Sequence, residues 1–360
     1  MFGLIVIVAS VFIAVACYWI VPDHTPFSNT MSLPVSLQHP GFKSTFLKIP
    51  RKEVESANFF ERMISGSPAA YSYIPLQRWQ LKGDTIYYEE FSGDLSVPGL
   101  NGQVPILALA GAEILQYPTS EREKIIQENY IVQKRFILGT DRFGRDLFSR
   151  LMVGTRVSLS VGLIAVVISL IIGIALGSLA GYFRGWVDKI IVWVINVVWS
   201  IPTLLLVVAI TMALGKGFAQ VFIAVGLTMW VEVARLVRGQ FFALREQQFV
   251  EAGRALGYRN GRIILKHILP NIIGPVIVIA ASNFASAILL EAGLSFLGMG
   301  AQPPMPSWGM MIKENYGYIV VDAAYLAIWP GIAIATMVLS FTLLGNGLRD
   351  AFDARSVSGT

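Results

Sequence analysis

The chain has 360 residues, of which 54% are apolar and only 14% charged, with a formal net charge of +5 and a mean hydropathy of +0.61. A soluble domain carries about 25% charged residues, so this chain has too little polar surface to coat a water-soluble fold, and disordered, collagenous and disulfide-stapled readings fail with it. The single cysteine, Cys17, excludes an intramolecular disulfide and a cysteine-built zinc site, and His24, His39 and His267 lie far apart in no metal-binding spacing.

A bilayer span needs roughly 20 mostly apolar residues. Residues 1–22 form the first such run. No Lys or Arg stands before it, and the missing basic flank leads us to expect a true start upstream of Met1; an in-frame stop just before Met1 would refute this. The string Ala14-Val15-Ala16-Cys17 weakly resembles a lipoprotein cleavage signal. Without a basic region before it, Cys17 reads better as a small apolar residue inside the span.

The composition then changes. Residues 21–156 hold fifteen basic and fourteen acidic side chains, with Pro, Gly and scattered aromatics, which reads as a folded, water-exposed α+β insert over 23–156. A Gly-Asp turn between β-prone runs in 78–94 predicts a hairpin. The apolar run 104–115 is too short to cross a bilayer and belongs to a soluble core. Residues 119–136 read as a helix, with Thr119 or Ser120 as N-cap and acids in the first turn.

Five further apolar runs follow, at 157–183, about 190–214, 218–238, about 271–290 and about 323–345, so six spans are expected. Gly173, Gly177 and Gly181 place a small residue at every fourth position of the second, the pattern for close helix contact. Pro202 in WSIPTLLL and Pro330 in WPG each remove a helix hydrogen bond and should kink or end a helix. Glu232 lies one turn from Arg235, so local ion pairing is its expected role. Glu291 falls about 30 Å along a helix from Asn271, at the far interface. Trp186, Trp199, Trp308 and Trp329 stand near span ends or in loops, as interfacial anchors do.

Charge sets the orientation. Arg184 and Lys189, the basic run 235–267, and Arg349 with Arg355 fall on one side, whereas the short opposite loops hold only Lys216 and Lys313. The positive-inside rule puts 184–189, 235–267, both termini and the tail 347–360 in the cytoplasm, and 23–156 outside. Segment 235–267 carries seven basic residues against Glu246 and Glu251, so its net +5 equals that of the whole chain. The charge therefore speaks for orientation and docking and gives no support to nucleic-acid binding.

Within that segment Phe249, Ala252, Gly253 and Leu256 fall at i, i+3, i+4 and i+7, one apolar stripe of a short helix, with Glu251 and Arg254 beside it. Gly257 can stop this helix with positive φ, and Pro270 suits the first turn of the next span. Such a helix either lies on anionic lipid or inserts its apolar side into a groove on a soluble partner. No phosphate-binding G-x-x-x-x-G-K-[ST] occurs, so any ATP-driven activity needs a partner.

E-A-G-R-A-L-G followed by H-I-L-P resembles the "EAA" loop of ABC-importer permeases, with Glu251, Ala252, Gly257, Leu269 and Pro270 in register, Gly253 in place of the family's second Ala and His267 at an Ile position. Residues 138–162, 230–257, 293–311 and 344–355 resemble, in order, further segments of the dipeptide, oligopeptide and nickel branch. The chain resembles the C-type permease of a pair. It departs from the pattern over about 25–135, which is longer than usual, and at Arg135, Phe136 and Ile137, where a His often stands.

The resemblance implies an all-α polytopic membrane protein with six transmembrane helices: span 1–22, the extracytoplasmic insert, and a type I ABC importer transmembrane domain over 157–346 with coupling loop 239–270. It implies a heterodimer with a second permease, two cytoplasmic ATPase subunits that bind ATP and Mg, and an extracytoplasmic substrate-binding protein, with no cofactor on this chain. Phe249, Glu251, Ala252, Gly253, Arg254, Leu256 and Gly257 would form the coupling helix, a rigid lever between two states. Asp141, Gly144, Arg145, Asp146, Glu291, Gln302 and Trp308 are candidates for the outer mouth or a contact with the binding protein; capping and salt-bridging of a helix lying along the membrane is the structural alternative for the first four. A secondary transporter, working without an ATPase, and a membrane-anchored sensor of residues 23–156 are the competing readings. The short tail argues against the sensor.

Overall fold

The computed structural model describes residues 1–51, 57–215 and 217–357. Lys216, expected in an outer loop, the side chain of Arg355 and the end of the expected tail lie outside the described residues. In chain order the elements are α1 (Phe2–Ile20), β1 (Lys43–Pro50), α2 (Phe59–Ser65), β2 (Tyr71–Lys82), β3 (Thr85–Glu90), β4 (Asn101–Pro105), α3 (Ile106–Ala110), α4 (Thr119–Asn129), β5 (Ile131–Arg135), α5 (Leu147–Phe183), α6 (Gly185–Trp199), α7 (Thr203–Leu214), α8 (Phe218–Leu244), α9 (Gln248–Ala255), α10 (Asn260–Arg262), α11 (Ile273–Phe296), α12 (Trp308–Asn315) and α13 (Tyr325–Val357). They fall into two compact units, Met1–Val11 with Val157–Lys313 and Pro330–Thr360, and Phe12–Arg156 with Glu314–Trp329.

Among the described residues, five helical stretches are long and apolar enough to cross a membrane: Phe2–Ile20, Leu147–Phe183, Phe218–Leu244, Asn260–Phe296 and Tyr325–Phe352. The run expected as one span at about 190–214 is instead a pair, α6 and α7, bent by 92°. The proline explains the break. It disfavours helical geometry in the residue before it and adopts extended backbone itself (φ −54°, ψ 125°) as the N-cap of α7. Pro330, by contrast, lies inside α13, which continues through it.

In the first unit the glycine stripe does what its spacing predicts. A Cβ on Gly173 would stand 2.5 Å from Val233 Cβ, one on Gly177 2.6 Å from the Ala234 carbonyl, and one on Gly181 2.5 Å from Phe241 Cβ. Helices α5 and α8 thus touch backbone to backbone over three successive turns. Val161, Val207, Val221, Val225, Ala287 and Leu294 build one apolar core between α5, α7, α8 and α11. A second gathers Tyr182, Val237, Phe241, Ile263, Ile268 and Val276.

The second unit holds a five-stranded antiparallel sheet in the order β4-β3-β2-β1-β5. The hairpin expected in 78–94 is β2–β3, turned at Gly83-Asp84 with Lys82 opposite Thr85. Ile106, Leu109 and Ile114, from the short apolar run, are buried with Leu47, Leu76, Ile86 and Ile126 in one core. The helix expected over 119–136 stops at Asn129, and the β-branched pair Ile131-Val132 continues as β5 against β1. Its N-cap is Pro118, whose carbonyl takes the Glu121 amide, so neither Thr119 nor Ser120 caps it.

Lys134 on β5 places Nζ 3.1 Å from the Tyr73 ring centroid, and burial pulls its amine down to about 8. The folded value is lower than the unfolded one, so between about 8 and 10.5 the unfolded chain keeps a proton that the folded unit has shed. Stability rises with pH across that window, and the cost of burying the charged amine is fully present below it. Reductive ¹³C-methylation followed by an NMR titration should give Lys134 a midpoint near 8; a midpoint at the ordinary lysine value would refute the burial argument.

Candidate functional site

The segment after α8 is ordered by a small number of contacts. Arg245 closes α8, and the Gln247 carbonyl accepts the Val250 amide at 2.9 Å to open α9. Glu251 in the first turn and Arg254 in the last complement the helix dipole. At the far end the Gly257 amide donates to the Arg254 carbonyl at 2.9 Å and the Tyr258 amide to the Gly253 carbonyl at 3.0 Å. This is the paired bond pattern of a Schellman stop, and Gly257 supplies its left-handed residue at φ +75°. A Cβ at Gly257 would meet nothing within 4 Å, so the glycine is required by its backbone angle and not by space.

The structure sorts the predicted stripe. Phe249 is 40% and Leu256 70% exposed, and Ala252, Glu251 and Arg254 are also exposed. Gly253 is not on that outer face: it is buried, where a Cβ would stand 3.4 Å from Tyr258 Cδ2. Its neighbour on the inner face is Val250, which is fully buried among Ile263, Ile268 and Phe241. The spacing through Phe249 leaves Val250 out, because the two are adjacent and both apolar and periodicity alone does not say which faces inward.

Behind α9 the chain is braced by aromatic stacking. Tyr258 stacks on His267 at 5.5 Å and 18°, and the Arg262 guanidinium lies 4.1 Å from the Tyr258 centroid. The Tyr182 hydroxyl donates to Asn260 Oδ1 at 2.9 Å, and Arg184 pairs with Glu246 at 2.8 Å. The next helical stretch begins at Asn260, earlier than expected. It passes through a π-helical segment, Ile263–Ile268, and a 3₁₀ turn, Leu269–Ile272, that contains Pro270. Proline cannot donate to a carbonyl one turn back, and the wider π register beside it absorbs that defect.

One expected charge contact differs. Arg235 does not pair with Glu232; its guanidinium lies 3.4 Å from the Trp199 centroid and its Nη2 reaches Asn196 Oδ1 at 3.4 Å. Glu232 is exposed and lines a cavity of about 310 Å³ with Trp199, Thr203, Met229 and Ser286. Arg238 makes a two-pronged pair with Asp188, at 2.5 and 2.8 Å, that ties α6 to α8.

The remaining candidates lie in both units. Asp141, Gly144, Arg145 and Asp146 belong to the second, and all four are buried in a turn, with no amphipathic helix there. Asp141 Oδ2 accepts from Arg145 Nε at 2.6 Å, with both side chains only 2% exposed. Arg145 further donates to Asn29 Oδ1 at 3.1 Å and Glu314 Oε2 at 3.0 Å, and Arg150 stands 3.6 Å from Glu314 and 3.8 Å from Asp141. Two acids and two arginines thus balance inside the fold. Asp146 accepts the Ser149 amide at 2.9 Å at the start of α5, its Oδ1 has no partner, and burial raises its pKa above the usual carboxylate range. A Cβ on Gly144 would overlap the Ser32 carbonyl.

Glu291, Gln302 and Trp308 belong to the first unit. Glu291 is 1% exposed, and its carboxylate accepts from Ser295 Oγ at 2.6 Å and faces Ser158 Oγ at 3.5 Å. Trp308 is buried, so it cannot be the interfacial anchor its position suggested, whereas Trp186, Trp199 and Trp329 are exposed. Gln302 is exposed and its amide donates to the Gly298 and Gly300 carbonyls.

Residues 173–357 match the family model described as binding-protein-dependent transport system inner membrane component. The glutathione transport system permease protein of Pectobacterium atrosepticum is 43% identical over 218 residues, 61% of this chain and 72% of that protein. The dipeptide transport system permease protein of Alkalihalophilus pseudofirmus is 44% identical over 220 residues, again 61% and 72%. Among solved structures, a chain of the MetNI methionine ABC transporter in an inward facing conformation aligns with TM-score 0.47 and 20% identity, over 57% of this chain and 95% of that one.

Proposed function

The chain belongs to the family of inner membrane components of binding-protein-dependent transport systems, and on that premise we propose that it is the C-type permease of an ATP-driven importer of peptides, glutathione or a related small solute such as nickel. It pairs with a second permease to enclose the path, and the external binding protein delivers the solute. ATP and Mg are held by two ATPase subunits, and this chain supplies the mechanical coupling. Both termini face the cytoplasm, α1 is the first of six passages of a type I importer domain, and residues 23–156 lie outside.

One observation carries the coupling role. Helix α9 presents Phe249, Ala252 and Leu256 outward while Val250 and Gly253 pin it from behind. A helix held on one face, with an exposed apolar stripe rimmed by Glu251 and Arg254 on the other, suits insertion into a groove of a soluble subunit. Closure of the ATPase pair then moves α9, and its braces (the Tyr258–His267 stack and the Tyr182–Asn260 bond) pass the motion to α5 and α11 as a rigid body.

Gly257→Val tests the lever. A β-branched residue at φ +75° costs about 1–3 kcal/mol and unwinds the Schellman stop that orients α9. In proteoliposomes with both permeases, both ATPases and the binding protein, ATP-driven uptake should fall while hydrolysis by the isolated ATPase subunits stays unchanged. Unchanged uptake would sink the assignment.

A further inference from the structure

Helix α2 is short, yet it is held firmly. Asn58 and Glu61 form a capping box, with the Asn58 amide donating to Glu61 Oε2 at 2.9 Å. At its other end the guanidinium of Arg156 donates to the carbonyls of Met63 and Ile64 at 2.9 and 2.5 Å. The same guanidinium donates to the carbonyls of Ala14 and Val15 on α1, at 2.6 and 2.9 Å. One side chain therefore staples the C-terminus of α2 to α1, and its charge sits at the negative end of the α2 dipole. Just after α2, Gly66 approaches so closely that a Cβ would stand 2.7 Å from the His24 carbonyl and 3.0 Å from Tyr18 Cε1. The Ser67 amide donates to that same His24 carbonyl at 2.7 Å.

The outer face of this stapled helix is apolar and bare. Phe59, Phe60 and Ile64 are all more than half exposed, a costly arrangement for three large side chains on one short helix in water. Their surroundings say what covers them. Trp19, also exposed and at the end of α1, has its ring 5.5 Å from Phe59, which in turn meets Phe60 edge-on at 5.7 Å. Along α1 the exposed stripe Phe12, Val15 and Trp19 runs at i, i+3 and i+7 into that cluster. The apolar face of α2 is thus continuous with the exposed apolar side of α1, at the end that carries Trp19, a residue type that favours the headgroup boundary.

We propose that α2 is a membrane anchor of the 23–156 segment, lying in the interface of the leaflet at the C-terminal end of α1 with Phe59, Phe60 and Ile64 inserted among the lipids. Its occupant is the bilayer itself. The flanking charges Glu61 and Arg62 cancel, so the contact is apolar and does not select anionic headgroups. The proposal rests on α1 crossing the bilayer and is independent of how α9 couples to an ATPase.

Site-directed fluorescence in the full chain tests it. In a Cys17→Ala background, Phe60→Cys and Ile64→Cys are labelled with an environment-sensitive dye and assembled with the partner subunits into nanodiscs of phosphatidylethanolamine and phosphatidylglycerol. Leu95→Cys, at an exposed position of the second unit, and Phe12→Cys, on the exposed stripe of α1, serve as aqueous and lipid references. Probes at 60 and 64 should lose most of their emission to lipids carrying a doxyl group near the headgroup and resist aqueous iodide; the probe at 95 should do the reverse. Iodide quenching at 60 and 64 equal to that at 95 overturns the proposal. So does shielding from both quenchers, which would mean that a protein neighbour covers the face. A probe at 12 that a doxyl group deep in the acyl chains does not reach overturns it through its premise, the span itself.

Discussion

Replacing Phe249 and Leu256 together with Asp should all but abolish ATP-driven uptake and release the ATPase subunits from the purified complex. Fully burying a side chain of this size contributes about 1.5–3 kcal/mol. Losing two from a groove, and placing two carboxylates there instead, weakens docking by at least about 3–6 kcal/mol, roughly 10²- to 10⁴-fold. The permease itself should fold as before. Both side chains point away from the core, and the contacts that hold α9 in place, through Val250, Gly253 and the Schellman stop, are untouched. The decisive readouts are co-purification of the ATPase subunits and uptake in proteoliposomes, with the amount of membrane-inserted chain as control. Retention of the ATPases at wild-type stoichiometry would show that the exposed stripe is not the docking face.

The second large effect concerns the buried charges. Arg145→Met removes a guanidinium that donates to Asp141, Asn29 and Glu314 at once. It leaves two nearly inaccessible carboxylates facing the Arg150 guanidinium at 3.6 and 3.8 Å, with Asp141 Oδ1 still accepting the Phe143 and Arg145 amides. Removing one member of a buried ion network costs about 3–5 kcal/mol, because the partner charge stays desolvated. An exposed pair would cost at most about 1 kcal/mol. Pulse proteolysis of the second unit in reconstituted membranes over a urea series should place Arg145→Met in the larger class. Arg145→Lys should recover only part of the loss, since one ammonium cannot reach three acceptors that the planar fork spans. Combining Arg145→Met with Glu314→Gln should restore some stability by removing one orphaned charge. A cost for Arg145→Met no larger than that of a surface pair would refute the network.

Much of the site was legible beforehand, and the parts that were not share a cause. The spacing of Phe249, Ala252, Gly253 and Leu256 correctly announced a short amphipathic helix ended by Gly257. Which side of that helix faces the protein could not be read, because Val250 and Phe249 are both apolar and adjacent. Only the positions of Ile263 and Ile268, which lie across a loop, make Val250 the buried one. Arg145 and Asp141 read as surface chemistry because charged side chains usually are. Their partners Asn29 and Glu314 are far away in sequence, so no local pattern reveals that four charges close on each other inside a fold.

By itself the sequence determined the local and one-dimensional properties. These are the membrane class, the β2–β3 hairpin, the α5 glycine face and the helix-breaking character of Pro202, beside a family resemblance carried by several ordered motifs. The first four follow from composition, periodicity or backbone chemistry within a few residues. The tertiary structure alone decided the non-local ones. It split the expected third span into two helices at 92°, stopped α4 at Asn129 so that β5 could pair with β1, and turned Gly253 inward. It also buried Trp308 and stapled α2 to α1 through Arg156. Burial and long-range hydrogen bonding depend on which distant surfaces meet, and that is set by packing a whole core at once.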